Sequence, residues 1–251
     1  MVQIGASHFV RDVPTSDMAD ILEHPDSFRL LYFPLEGLGQ TSRDILAYGE
    51  AKWESLFPGK WSEDKGQTPF GCLPVLFVNK NGKEAVLSEA PVIETYLAKH
   101  FGLLGENQYE ESLIKASHNS SQSVMNFYST SVAYNMPEVQ EKTRASFLDY
   151  TLPNWIATHE RHLVDNGSNG HYLGDKLSLA DIKTANVIDH FAHQQKDQEI
   201  IEKIKKSPAL WKVKETVDAK LAKWRASDDF KTLATSTTAF YLDPMAAIAA
   251  M

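Results

Sequence analysis

Thr68-Pro69-Phe70-Gly71-Cys72-Leu73-Pro74-Val75-Leu76-Phe77 is the stretch from which the rest of the chain can be read. An apolar run, Val75 to Val78, follows a proline that itself follows a leucine. A proline at the first residue of a strand donates nothing to the ladder. Only an X-Pro bond takes the cis form cheaply. A cis Leu73-Pro74 bond would turn the N–H and C=O of Leu73 away from the sheet. They would then lie side by side, open to a short extended peptide that adds as a strand. A turn proline ahead of a buried strand is the plainer reading of the same residues. Features elsewhere in the chain decide between the two.

Outward from this stretch the pattern is mixed. Phe28 to Phe33 reads as a short buried strand, and Pro34 to Gly39 as a loop. Thr41 or Ser42 caps a helix running to about Tyr48 or Ala51. Trp53 to Phe57 reads as a second strand, and Pro58 to Thr68 as polar and irregular. After the opening stretch comes a hairpin at Asn79-Lys80-Asn81-Gly82, whose four polar residues suggest a loop longer than two residues. A strand at Ala85 to Leu87 comes next, then a helix from Glu89 to Phe101 with Val92, Ile93, Tyr96 and Leu97 in register. Residues 28 to about 102 therefore read β-α-β-loop-β-β-α, a compact α/β unit of thioredoxin type. Ahead of it, Asp17 to Glu23 reads as one or two helical turns capped by Thr15 or Ser16.

From about residue 107 the pattern is helical only. Helices are expected at Leu113 to Asn135, Glu138 to Val164, Leu179 to Phe191, Glu199 to Lys205, Leu210 to Lys223 and Asp228 to Leu233. Pro153 should kink the second of these or start its later half. The expected organisation is an extension (1–27), a thioredoxin-like domain (28–105), an all-helical domain (106–234) and a tail without clear period (235–251).

Composition narrows the function. The chain has 251 residues, 43% hydrophobic and 23% charged, with a formal net charge of -8. That is ordinary globular composition. No basic stripe suggests a nucleic-acid partner, and no apolar run reaches the length of a membrane span. Charges at Arg11, Asp12, Asp17, Asp20 and Glu23 interrupt any signal-peptide core. The single cysteine, Cys72, fits a reducing compartment, so a cytoplasmic protein is expected. The histidines show no consistent metal spacing; His159 with His162, and His190 with His193, read as solvated faces, and no metal is expected.

Three further features converge on the opening stretch. Tyr32 ends the first strand, at the edge of the sheet where open α/β sheets take ligands. Ser88-Glu89-Ala90 opens a helix, whose first N–H groups attract a carboxylate, while Glu89 can accept from an ammonium. Trp61 and Lys65 can hold a second carboxylate. A small peptide charged at both ends fits these groups, and glutathione is such a peptide.

At this point the chain resembles the cytosolic glutathione S-transferases, most of all the sigma class, which includes the haematopoietic prostaglandin D synthases. The residues that carry the resemblance are Leu31-Tyr32-Phe33, Trp61-x-x-x-Lys65, Pro69-Phe70-Gly71-Cys72-Leu73-Pro74-Val75-Leu76 and Glu89-Ala90-x-Val92-Ile93-x-x-Tyr96-Leu97. Gly102-Leu103-Leu104-Gly105 and Tyr172-Leu173-Gly174-Asp175-Lys176-Leu177-Ser178-Leu179-Ala180-Asp181 extend it, so it spans about residues 28 to 233. Ser178 and Asp181 also read as a capping box that starts a buried helix.

The resemblance implies the glutathione S-transferase fold, glutathione as co-substrate, a homodimer, and conjugation of glutathione to hydrophobic electrophiles in detoxification. Tyr32 would stabilise the thiolate. Leu73 would offer its backbone to the cysteinyl unit, with Cys72 and Pro74 beside it. Trp61 and Lys65 would hold the glycine carboxylate, and Glu89 with the N–H of Ala90 the γ-glutamyl end. The electrophile is expected over the first long helix, with Phe33, Leu38, Phe127, Tyr128, Tyr134, Phe240 and Tyr241 as candidate contacts. The apolar tail around Phe240-Tyr241-Leu242 and Ala246-Ala247-Ile248 is a candidate lid.

The chain departs from the family at several positions. Relatives usually carry serine where Ala90 stands, and sigma relatives carry arginines where Glu36 and Leu38 stand. The second arginine supports the tyrosine, a part that Leu38 cannot play through its side chain and that leaves Arg43 as a candidate. Ser123 or Asn126 stands where relatives offer a carboxylate to the partner's glutathione. These losses keep two alternatives open: a binding or structural protein on the same fold, and a glutathione-dependent isomerase or peroxidase.

Overall fold

The computed structural model describes residues 14–194, 198–244 and 247. Residues 1–13 of the extension, and Ala246 and Ile248 of the tail, lie outside the described residues. The chain divides into two compact units between Phe101 and Gly102. No described helix is long and apolar enough to cross a membrane.

The first unit is built on a four-stranded mixed sheet, in the thioredoxin-like arrangement expected. Its strands are β1 (Ser27–Leu31), β2 (Trp53–Leu56), β3 (Val75–Lys80) and β4 (Lys83–Ser88), in the order β2-β1-β3-β4. β1 runs parallel to β2 and antiparallel to β3, and β3 pairs antiparallel with β4. Val75, Leu76, Phe77 and Val78 are all buried, so this strand is apolar without alternation. Helix α1 (Thr15–Glu23) precedes β1, and α2 (Gln40–Tyr48) crosses from β1 to β2. A short α3 (Trp61–Asp64) lies between β2 and β3, and α4 (Ala90–His100) comes after β4 and packs on α2.

Three local readings change. The hairpin loop has two residues, not four: Asn81 and Gly82 both take positive φ, 51° and 74°. That is the primed turn whose twist matches the flanking strands. The segment expected to be irregular forms α3 and a 3-10 turn, Lys65–Gln67. The Asp64 carboxylate accepts from the N–H groups of Gly59 and Lys60 and so closes the turn before it. Helix α1 begins after Pro14, with no side-chain cap from Thr15 or Ser16.

The second unit is helical: α5 (Gln108–Tyr128), α6 (Pro137–Ser146), α7 (Leu152–Asp165), α8 (Leu179–Ala192), α9 (Gln198–Lys205), α10 (Pro208–Lys220), α11 (Ala222–Arg225) and α12 (Asp228–Leu242). Helix α8 lies at its centre and is buried over nearly its whole length. The Ser178–Asp181 capping box starts it: Ser178 Oγ accepts from the Asp181 N–H, and the Asp181 carboxylate accepts from the Ser178 N–H at 2.7 Å.

The expected single helix from Glu138 to Val164 is interrupted. A π-turn at Phe147–Thr151 separates α6 from α7, and Pro153 sits in the first turn of α7. The widened turn ahead of Pro153 accommodates a ring that would otherwise meet the carbonyl four residues back. The helix expected at 228–233 instead runs to Leu242, so half the presumed tail is α12. His159 and His190 are buried, not on solvated faces. His159 bonds the hydroxyls of Ser120 and Tyr172, and His190 those of Ser129 and Tyr241. Burial pushes them down to about 4 and about 3, so both rings are neutral at pH 7.

Candidate active site

The strand registers gather the site at one end of the sheet. Leu31 lies opposite Val75, and Val75 opposite Ser88. The segment leaving β1 (Tyr32), the one entering β3 (Leu73-Pro74) and the one leaving β4 (Glu89-Ala90) therefore share an edge. Strand β2, parallel to β1, ends at the same edge and leads on to Trp61.

Tyr32 comes directly after β1, and its N–H continues the pairing to Leu56 O at 3.1 Å. The side chain is 7% exposed. Its hydroxyl oxygen accepts a hydrogen bond from the backbone N–H of Leu38 at 2.9 Å. The Leu38 side chain supplies no donor, but its backbone does. Close approach requires the flanking glycines. A Cβ on Gly37 would lie 2.6 Å from the Tyr32 oxygen, and one on Gly39 2.7 Å from the ring. Gly37 also has φ +41°, which side chains rarely adopt.

Arg43, on α2, is fully buried and fixes this loop from behind. Its guanidinium donates to the carbonyls of Leu35 (2.7 Å) and Phe33 (3.1 Å) and lies 5.6 Å from the Tyr32 ring centroid. Burial lowers its pKa to about 10, against the opposing pull of Tyr32, Asp44 and Glu36. It remains charged at neutral pH. The two glycines around Leu38 are the sequence signal for this turn, and from the sequence they read only as loop formers.

Phe33 meets the Trp61 ring edge to face at 5.5 Å and Tyr32 at 5.7 Å. Lys65 is exposed, with no ion-pair partner among the described residues. The Leu73-Pro74 bond is cis. Neither the N–H nor the C=O of Leu73 makes a hydrogen bond among the described residues, although Leu73 itself is 9% exposed. Glu89 precedes α4 with φ +72°, a strained backbone for a residue with a side chain. Ala90 opens the helix, and its N–H has no partner among the described residues.

Cys72 donates from Sγ to the Glu89 carboxylate at 3.3 Å. Burial first, then the hydrogen bond and charge of Glu89, push its thiol up to about 11. It is therefore a thiol at neutral pH, not a nucleophile. Iodoacetamide at pH 7.5 is expected to label it about a hundred-fold more slowly than a free thiol of pKa ~8.5. Glu89→Gln should speed labelling only in part, because burial remains. Labelling of the native chain at the free-thiol rate, tracked by mass spectrometry, would refute this.

The helical-unit candidates lie among packed aromatic rings. Tyr134, Phe240 and Tyr241 form one aromatic cluster, with Tyr134 to Phe240 at 6.4 Å and Phe240 to Tyr241 at 5.1 Å. Tyr241 is buried and bonds His190 Nδ1 at 3.0 Å, and Tyr128 lies edge-on to the same imidazole. Phe127 is 40% exposed and stacks on Phe147. Ser123 bonds the carbonyl of Asn119, and Asn126 accepts from Gln122. Among the described residues no group of His, Cys, Asp and Glu could hold a metal ion.

Residues 123–228 match the family model for the glutathione S-transferase C-terminal domain. The chain is 31% identical over 159 residues to a glutathione S-transferase of Dirofilaria immitis, covering 62% of this chain and 72% of the relative. It is 29% identical over 196 residues to probable glutathione S-transferase 6 of Caenorhabditis elegans, covering 76% and 92%. Among solved structures, the sigma-class enzyme of Fasciola hepatica shares the fold with a TM-score of 0.69 at 22% identity, covering 81% of this chain and 99% of that one.

Proposed function

The chain belongs to the glutathione S-transferase family, and from that premise we propose that it joins the glutathione thiolate to a hydrophobic electrophile, with Tyr32 holding the thiolate. The observation that carries this reading is the position of the Tyr32 hydroxyl. It lies at the sheet edge shared with the open backbone pair of Leu73, and its oxygen accepts from the Leu38 N–H. A phenol that accepts at its oxygen becomes a better donor of its own proton. A donor to sulfur favours the thiolate over the thiol.

Charge assigns the rest of the tripeptide. The Leu73 N–H and C=O pair with the cysteinyl unit, as an added strand would, with Pro74 and Cys72 alongside. Lys65 and the Trp61 indole take the glycine carboxylate. The Glu89 carboxylate takes the γ-glutamyl ammonium, and the Ala90 N–H takes the adjoining carboxylate at the start of α4. Phe33 and Leu38 offer apolar contacts to the electrophile. Phe127, Tyr134 and Phe240 remain candidates of the helical unit, Tyr128 and Tyr241 being buried in its core. Kinship adds a homodimer, a cytoplasmic setting and a role in detoxification to the proposal.

Titration calorimetry with glutathione, and an aryl-halide conjugation assay, test this reading. Glu89→Gln and Lys65→Ala are each expected to raise the glutathione KM about ten-fold, the worth of a hydrogen bond to a charged group, and to leave the electrophile KM unchanged. Glutathione binding without turnover in the native chain would identify a binding module instead.

A further inference from the structure

Helix α1 is gripped from several sides. Asp20 pairs with Lys80 of β3 at 2.6 Å, and Asp17 with Lys83 of β4 at 3.5 Å. Ile21 is 2% exposed. The Tyr96 hydroxyl, on α4, donates to the carbonyl of Leu22 at 2.9 Å. Behind the helix, Asp26 receives the Asn81 N–H on its carboxylate at 2.7 Å and gives its own N–H to Asn79 O at 2.8 Å. One short segment thus binds β3, the β3–β4 turn, β4 and α4.

Two of these elements, β4 and α4, also flank Glu89. Among the described residues, strand β4 is an edge strand, paired on one side only. Edge elements open locally at lower cost than the centre of a sheet. Glu89 carries a strained backbone at the β4–α4 junction. Such strain persists only where the surroundings over-determine it. On its N-terminal side Glu89 has a weakly held edge strand, and on its C-terminal side α4. Helix α1 ties the start of β4, at Lys83, to the middle of α4, at Tyr96.

We infer that α1 is a brace for the β4–α4 junction, and that it sets glutathione affinity without touching the ligand. The inference rests on the proposed role of Glu89 and Ala90. With the brace in place, the junction is held in the form that receives the γ-glutamyl end. Without it, the hairpin and α4 move apart more often, and the strained Glu89 backbone relaxes. Only the braced fraction binds, so the apparent dissociation constant rises as that fraction falls. The brace acts at the γ-glutamyl end, so thiolate formation at Tyr32 in the bound state is unaffected.

The test uses the full chain with Tyr96→Phe, which deletes one hydrogen bond, and Ile21→Ala, which loosens the seat of the helix. Amide hydrogen exchange over residues 83–93 is expected to quicken about ten-fold or more in Ile21→Ala, and less in Tyr96→Phe. The glutathione Kd should rise about three-fold or more in the same order, with kcat at saturating glutathione unchanged. Faster exchange with an unchanged Kd would overturn the inference, as would exchange that does not respond. If the native chain binds no glutathione, the functional reading fails separately, and the exchange result alone decides whether α1 braces the junction.

Discussion

Tyr32→Phe is expected to conjugate glutathione to an aryl halide about ten-fold or more slowly at neutral pH, a loss of ~1.4 kcal/mol of transition-state stabilisation. The substitution keeps the ring, so contacts with Phe33 and the Arg43 guanidinium persist. It removes the oxygen that accepts from the Leu38 amide and that, in the proposed function, donates to the sulfur. A free thiol has a pKa of about 8.5, so at pH 7 only a few per cent is nucleophilic. The native protein should show a pH–rate profile that rises at lower pH than this. In Tyr32→Phe the rise should return toward the free-thiol value, and the rate deficit should shrink as pH increases. A variant with the native rate and the native profile would mean that another group holds the thiolate.

Arg43→Met is expected to destabilise the protein by about 3–5 kcal/mol, the range for deleting one partner of a buried charge cluster. The side chain is fully enclosed, and methionine fills most of its volume. The substitution removes donation to Leu35 O and Phe33 O, and it leaves Glu36 and Asp44 in an interior short of positive charge. Urea unfolding measures it, with a lower midpoint at unchanged slope as the expected signature. Arg43→Lys should recover only part of the loss, because an ammonium cannot present the planar fork that serves two carbonyls. A loss below ~1 kcal/mol in Arg43→Met would place it among ordinary surface substitutions and sink the argument.

Much of the first unit is legible in the sequence because its signals are local. A proline at a strand entry and an Asn-Gly pair each act over a few residues, and each feature stands at the residues that signal it. The Asn-Gly pair is stronger than its polar neighbours suggest, taking the whole turn in two residues. The tyrosine turn is less legible. From the side chains alone, Leu38 is a missing donor; the structure supplies the donor from its backbone, which every residue but proline carries. The helical unit hides more. Thr235-Ser236-Thr237-Thr238 has poor helix propensity, yet α12 continues through it. Contacts distant in sequence hold it there: Thr238 to His193 at 2.9 Å and Tyr241 to His190 at 3.0 Å. The same contacts draw His190 into the interior, which no local spacing announces. A deletion from residue 236 would therefore remove a packed helical segment.

The Leu38 amide has a consequence for how this protein can change over generations. An arginine that supports the tyrosine through its side chain ties nucleophile strength to the identity of one residue. Here the donor to the tyrosine oxygen comes from the main chain, while Leu38 itself is half-buried. The position is thus released from a double duty. Under the proposed function, its side chain could drift in size and polarity, and with it the range of compounds accepted, while the strength of the sulfur nucleophile would be inherited intact. The constraint falls instead on Gly37 and Gly39, the neighbours that leave no room for variation.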